Sequence, residues 1–323
     1  MCAVLALAGD TMLGRGVAEC LAEDPAAPLV GPRLREVLAG ADAVVLNLEC
    51  CVSDRGERWP APGKAFFFRA PPLVAQRLAE LGVRAVTLAN NHALDYGYEG
   101  LTDTLDHLTG AGIVTVGAGH DLREARRPAS FRVAAEPLML VALTDHPPDF
   151  AAGPRTPGVA FADLRRGVPA WVGAAVREAA LAAPVVVTPH WGPNMVPEPV
   201  GHVRRAADEL GAVGPALVAG HSAHVVQGVA GRVLFDLGDF IDDYATHPLL
   251  RNDLGALWLA HLEAGVFDSV EVVPLRLYRA VTEVATGPDA AWVRRRLMAA
   301  CARLGTPVRG VDGHLLISLD DAG

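Results

Sequence analysis

Residues 86–100 read VTLANNHALDYGYEG. An apolar run of the kind that forms a buried strand ends abruptly in two amides and an imidazole, Asn90, Asn91 and His92, and Asp95 follows one helical turn later. Other apolar runs end the same way: AVLALAGD on Asp10, DAVVLNLE on Asn47 and Glu49, APVVVTPHWG on His190, ALVAGHSAH on His221 and His224, with PLMLVALTDH and RVLFDLGD alongside them. Short runs with both faces apolar and polar residues gathered at the C-terminal end are what strands of a largely parallel, doubly covered sheet look like. Between them LVAQRLAEL (73–81), residues 100–111 and residues 164–182, the last containing Pro169, carry helical spacing. Alternating strand and helix signals predict a layered α/β fold.

From Val233 onward the pattern changes to successive strand-like runs, VLFDLGDF, LGALWLAHLE and SVEVVPLRLY, then a helix over 290–304 and a short strand, HLLISL. These predict a more antiparallel portion completing a second sheet. With no linker or internal repeat, residues 1–323 read as one domain, a motif-bearing core over 3–245 and a completing portion over 246–323. The loop SDRGERWPAPGKAFFFR (53–69) is too long for an idle connection and is expected to line a site.

A composition of 51% hydrophobic and 20% charged residues is globular, and a net charge of -9 with scattered basic residues argues against a nucleic-acid surface. Arg123 to Arg127 and Arg294 to Arg296 read as solvated helix faces. The cysteines, Cys2, Cys20, Cys50, Cys51 and Cys301, show no CxxC spacing, which predicts a reducing, cytoplasmic setting. The N-terminus lacks a basic n-region and reads as a first strand instead of a signal peptide. No run reaches the roughly 18–20 apolar residues of a membrane span.

In open α/β sheets ligands collect where strands end at the carboxyl edge. Carboxylates, imidazoles and Asn amide oxygens gathered there suit two divalent ions such as Mn, Fe or Zn. Two such ions about 3.5–4 Å apart clamp a phosphoryl group and lower the pKa of a bridging water. Each residue alone has a simpler reading: Asp10 as a cap, His190 as a packed aromatic, Asn90 and Asn91 as a turn. Their coincidence at separate strand ends favours the metal site.

The order of the motifs GDTMLGR, NLEC, FRAPP, LANNHALDYGYEGLTDTLDHLTGAGIVTVGAG, HWG and GHSAHVVQGV resembles the calcineurin-like metallophosphoesterase superfamily, and more closely its CapA family, associated with bacterial capsule and poly-γ-glutamate synthesis. The resemblance implies a four-layer α/β/β/α sandwich with a dinuclear site between the strand ends of two sheets. It also implies Asp10, Asn47, Glu49, Asn91, His190, His221 and His224 as metal ligands, with Glu49 in place of a bridging aspartate. His92 would be the proton donor to a leaving oxygen and Asp95 the partner that orients its ring. Two departures stand out: Asp10, Thr11, Met12 lacks the imidazole of the usual Asp-x-His, and GHSAH carries one residue more than Gly-His-x-His.

Lys64 and Arg69, in KAFFFRAPP, are expected to bind an anionic substrate group, Arg69 through a bidentate guanidinium. Asp239, Asp242, Asp243 and Arg251 read as a structural salt-bridge network, and His146 and His247 as turn or surface histidines. The expected activity is a metal-dependent hydrolase, a metal-bound hydroxide attacking a phosphoester, or an amide, of a small or polymeric anionic substrate. The alternative is a non-catalytic accessory component of capsule or polyglutamate assembly.

Overall fold

The computed structural model describes residues 3–60, 62–311 and 314–319, so Cys2 lies outside the described residues. The first sheet has ten strands. In one half of it, ending at an edge, Ala3–Thr11, Ala43–Leu48, Val83–Thr87 and Val114–Val116 run parallel, in that spatial order. The second sheet has six strands and is parallel through Glu136–Thr144, Val185–His190, Leu217–Ala219 and Val233–Leu234.

Strands covered on both faces must be apolar at every position, and the alternation shows where each face goes. Leu5 and Leu7 enter the core between the sheets, with Leu140, Val186, Leu217 and Trp258. Ala6 and Ala8 face the opposite way, toward the helices Arg15–Glu23, Pro32–Ala39, Leu73–Glu80 and Gly97–Gly110. On the second sheet Val185 and Val187 turn to the helices Ala170–Ala180 and Gly201–Gly211. The order of layers is helix, sheet, sheet, helix, the four-layer sandwich expected.

Two sequence expectations are corrected. The strands after Leu254 do not complete the second sheet: Ala256–Glu263 pairs antiparallel with Ala3–Thr11, Val266–Tyr278 pairs with Ala256–Glu263, and His314–Ser318 follows. They extend the first sheet because its first strand offers a free edge, and their alternate residues Trp258, Ala260, Phe267, Val270 and Val272 reach the inter-sheet core from there. The helix expected over 164–182 begins at Ala170, after a single 3-10 turn at Leu164–Arg166. Pro169 has no N–H for a continuing helix and biases the residue before it to extended backbone.

Trp258 is fully buried between the sheets and donates its indole N–H to the Leu237 carbonyl at 3.2 Å. Trp258→Ala is expected to cost about 3–5 kcal/mol, read as a lower denaturation midpoint at unchanged slope.

The run RVLFDLGDF splits between the sheets. Val233–Leu234 belongs to the second sheet and Asp239–Ile241 pairs parallel with the end of Ala3–Thr11, Asp10 opposite Asp239. Gly238 turns the chain between them at φ +79°. At this crossing the Asp10 amide donates to the Gly238 carbonyl at 2.9 Å. A Cβ on Gly9 would lie 1.8 Å from that carbonyl oxygen. The two Gly-Asp dipeptides therefore meet backbone to backbone, and both aspartates point into one place.

Candidate metal centre

The carboxyl ends of both sheets converge. The first contributes Asp10, Asn47, Glu49, the Asn90–His92 turn and Asp239; the second contributes His190 and His221, which bridge as a parallel pair, and His224 beyond them. His221 Nδ1 lies 3.3 Å from Asp10 Oδ1 and His224 Nδ1 lies 3.3 Å from Asp10 Oδ2. The extra residue of GHSAH is absorbed by left-handed backbone at Ser222 (φ +109°) and His224 (φ +59°), so both imidazoles still reach the same carboxylate. Non-glycine residues held there store strain of order 1–3 kcal/mol each, which the surrounding packing must maintain. Asp236 braces the turn, accepting from the Ala223 amide at 2.7 Å and the Gly238 amide at 2.9 Å.

Among the described residues, two groups of donors lie within ion-holding distance, Asp10 with Glu49 and His190, and Asp10 with His224 and Asp239. Asp10 is common to both, and Glu49, which the resemblance puts in the bridging place, lies 3.4 Å from His190 Nε2 and 4.0 Å from His224 Nδ1. Both Glu49 oxygens, Asn91 Oδ1, His190 Nε2, His221 Nδ1 and Asp239 Oδ2 are buried without a hydrogen-bond partner. Buried charges are paired or coordinate metals, and these oxygens and imidazole nitrogens fit borderline divalent ions.

The electrostatics agree. Burial works to raise Asp10, but the imidazoles of His221 and His224, each 3.3 Å from its oxygens, overcome it and hold this carboxyl well below its usual range. Burial, joined by the Asp10 charge, pushes Glu49 well up. Burial depresses His190, whereas at His224 the charges of Asp239 and Glu49 outweigh burial and raise it. Like charges crowded out of water are what a shared divalent cation reconciles.

Asn47 does not fit the ligand role expected of it. Its Nδ2 donates to Asp10 Oδ1 at 2.7 Å and its Oδ1 accepts from Asn90 Nδ2 at 2.9 Å, so both ends of the amide hold neighbours in place. Asn90, read as a turn residue, makes that contact, donates to the Leu48 carbonyl at 2.8 Å and accepts from the His92 amide at 3.0 Å. Met12, where an imidazole is usual, is fully buried in the helix-side core.

His92 Nδ1 pairs with Asp95 at 2.7 Å, which leaves Nε2 as the other ring nitrogen. Asp95 also accepts from the Phe68 amide at 2.7 Å and pairs with Lys64 at 2.9 Å. Lys64 donates to the Asn91 carbonyl at 2.7 Å and so braces this turn. Burial lowers the His92 pKa. Arg69 stacks on Tyr96, 4.2 Å from the ring centroid. A cavity of about 460 Å³ opens on His92 and His224, and Phe66 and Phe68 of the long loop line it, as expected of that loop. A larger hollow of about 620 Å³, near Ile113, His120 and Arg127, carries none of the orphaned donors.

The acidic stretch after Val233 is not one network. Asp239 joins the centre, pairing with His224 at 2.9 Å; Asp243 pairs with Arg15; Arg251 pairs with Asp253 and Asp289. Asp239 was the ligand candidate that sequence reasoning missed, although its Gly-Asp at a strand end repeats that of Asp10. His146, read as isolated, has its ring 5.2 Å from that of His190 and pairs with Asp145.

A four-layer sandwich with buried carboxylates and imidazoles at its facing strand ends defines a metallophosphoesterase-like fold. Residues 4–244 match the family of the bacterial capsule synthesis protein PGA_cap, and the chain belongs to that family. A probable polyglutamine synthesis accessory protein of Mycobacterium tuberculosis is 31% identical over 359 residues, covering 94% of this chain and 92% of the relative. The PGA biosynthesis protein CapA of Bacillus subtilis is 29% identical over 278 residues, covering 84% of this chain and 71% of the relative. Among solved structures, a hypothetical protein from Thermus thermophilus is 14% identical with a TM-score of 0.45, covering 84% of this chain and 99% of that one. No described helix is long and apolar enough to cross a membrane.

Proposed function

We infer that this chain is a metal-dependent hydrolase acting on a phosphoester of an anionic substrate. The observation that carries the reading is the pair of buried donor groups sharing Asp10, set beside a His92–Asp95 pair on the cavity wall. Asp10, Glu49, His190, His224 and Asp239 would hold divalent ions, with Asn91 and His221 as further donors. Such ions supply Lewis-acid polarisation of a phosphoryl oxygen and activation of water. Asp95 accepts from Nδ1 and orients the His92 ring; the imidazolium form, protonated on both nitrogens, would give its Nε2 proton to the leaving oxygen and be left as the neutral Nδ1–H tautomer. Asn47 and Asn90 keep the carboxylate and the His92 turn in register, and Phe68, with its ring centroid 4.2 Å from that of His92, shields the imidazole from water.

The test is metal analysis of the purified protein together with turnover of aryl phosphate mono- and diesters, with and without manganese. Metal uptake with manganese-dependent turnover is expected; a metal-free protein or metal-indifferent turnover would sink the reading. His92→Ala should keep the metal and lower turnover by about 10²–10⁴-fold for a poor leaving group. The loss should shrink for p-nitrophenolate, which departs without a proton. An equal loss for both leaving groups would remove His92 from the acid role.

A second reading is an accessory component of polyglutamate or capsule assembly that keeps the site without chemistry. The name of the mycobacterial relative favours it. Metal binding with no turnover of phosphoester or amide substrates is its expected result.

A further inference from the structure

We propose that Arg15 is the specificity residue of the cavity and that the site takes substrates bearing a second anionic group, a carboxylate or phosphate, remote from the reacting bond. This rests on the hydrolase reading for the reacting end alone. Among the described residues lining the cavity, Arg15 carries the one guanidinium, and no lysine or carboxylate joins it there. Of the cations of the neighbouring loop, Arg55 pairs with Asp103, Lys64 pairs with Asp95, Arg58 and Arg69 stack on Phe67 and Tyr96, and none of them lines this cavity.

The placement of Arg15 is specific. It sits between Gly14 and Gly16 in the left-handed region, φ +49°, where glycine would be unstrained and arginine is not. That strain is offset by its surroundings. Asp243 accepts from the Gly16 amide at 2.9 Å and pairs with Arg15 Nε at 3.4 Å, which orients the guanidinium from one side. Phe66 and Phe68 flank it, with the guanidinium carbon 5.7 and 6.0 Å from their ring centroids. The Arg15 side chain keeps 40% of its exposure, so it remains open to a ligand.

The wall between Arg15 and the metal centre is aromatic, formed by Phe66, Phe68 and Tyr244. It suits an apolar spacer between two anions, one at the centre beside His92 and His224 and one on the guanidinium. Arginine matches carboxylate and phosphate alike in bidentate geometry, and its contact is strengthened where aromatic walls exclude water.

Calorimetry on the manganese-loaded protein tests this with phenylphosphonate, 4-carboxyphenylphosphonate and 1,4-phenylenebisphosphonate. Wild type should bind one or both doubly anionic probes at least tenfold tighter than phenylphosphonate, and the larger gain names the remote group. Arg15→Ala should erase that ratio, and Arg15→Lys should keep part of it; circular dichroism confirms folding, with Arg15→Gln as the substitute if alanine fails to fold. Equal affinities for all three probes in wild type, or a ratio unchanged by the substitutions, would overturn the proposal. The ratio is read without turnover, so a protein that binds selectively yet hydrolyses nothing retires the hydrolase reading and leaves the role of Arg15 standing. A protein that takes up no manganese and binds no probe overturns both.

Discussion

Asp10→Asn is expected to abolish cooperative loading of the two donor groups and to lower turnover by about a thousandfold. Several kcal/mol of transition-state stabilisation comes from ions of this kind, and each 1.36 kcal/mol is about a factor of ten in rate. The size of the effect follows from position: Asp10 is the residue that both groups share. The same substitution should also cost the metal-free fold stability, because His221 and His224 hold the Asp10 carboxyl well below its usual range and the ionised group therefore favours the folded state. Thermal denaturation separates the two consequences. Wild type should gain about 2.7 kcal/mol at a metal concentration a hundredfold above Kd, on the order of 5 °C for a chain of this size. Asp10→Asn should lose most of that gain, and its metal-free midpoint should fall below that of wild type. A variant that loads and turns over like wild type would remove Asp10 from the centre.

Gly9→Ala is expected to destabilise the protein by about 3 kcal/mol or more, beyond the usual range for a buried methyl group. The added Cβ would lie 1.8 Å from the Gly238 carbonyl oxygen and 2.7 Å from its carbon, both backbone atoms that no rotamer change can move. Relief requires the first strand and the crossing segment to part, which breaks the hydrogen bond from the Asp10 amide and separates Asp10 from Asp239. Metal affinity should therefore fall together with stability. Gly211→Ala is the contrast: it is the exposed last residue of the helix Gly201–Gly211 with open space at the Cβ position, and the change should raise stability by about 0.5–1 kcal/mol. Chemical denaturation of both variants checks the pair, and a neutral Gly9→Ala would mean that the two Gly-Asp segments do not meet as described.

Much of the centre was legible in the chain because parallel strands covered on both faces must be apolar throughout, so a carboxylate or imidazole at their ends stands out. Asp10, Glu49, His190, His221 and His224 were found this way, and the structure brings them together. Asn47 also stood out, yet its amide is spent on Asp10 and Asn90. Sequence spacing reports that a polar group is at an edge and not which neighbour takes its lone pairs. Asp239 sat in an acidic stretch that read as a structural salt-bridge network, because nothing local shows that LFDLGDF passes from one sheet to the other. Lys64 and Arg69 were expected anion ligands by charge; Lys64 pairs with Asp95, Arg69 stacks on Tyr96, and neither lines the cavity that opens on His92.

The sequence by itself determined the layered α/β class and the strand ends that carry chemistry, since periodicity and short-range spacing are local properties, and the motif resemblance pointed to Asp95 as the partner of His92. Only the tertiary structure decided that the C-terminal strands extend the first sheet, that Asp10 is the shared carboxylate, and that Arg15 is the cation in the cavity wall. Those outcomes depend on contacts between segments as far apart in the chain as Gly16 and Asp243, which are selected by how the sheets bury their faces and not by any residue's own neighbours.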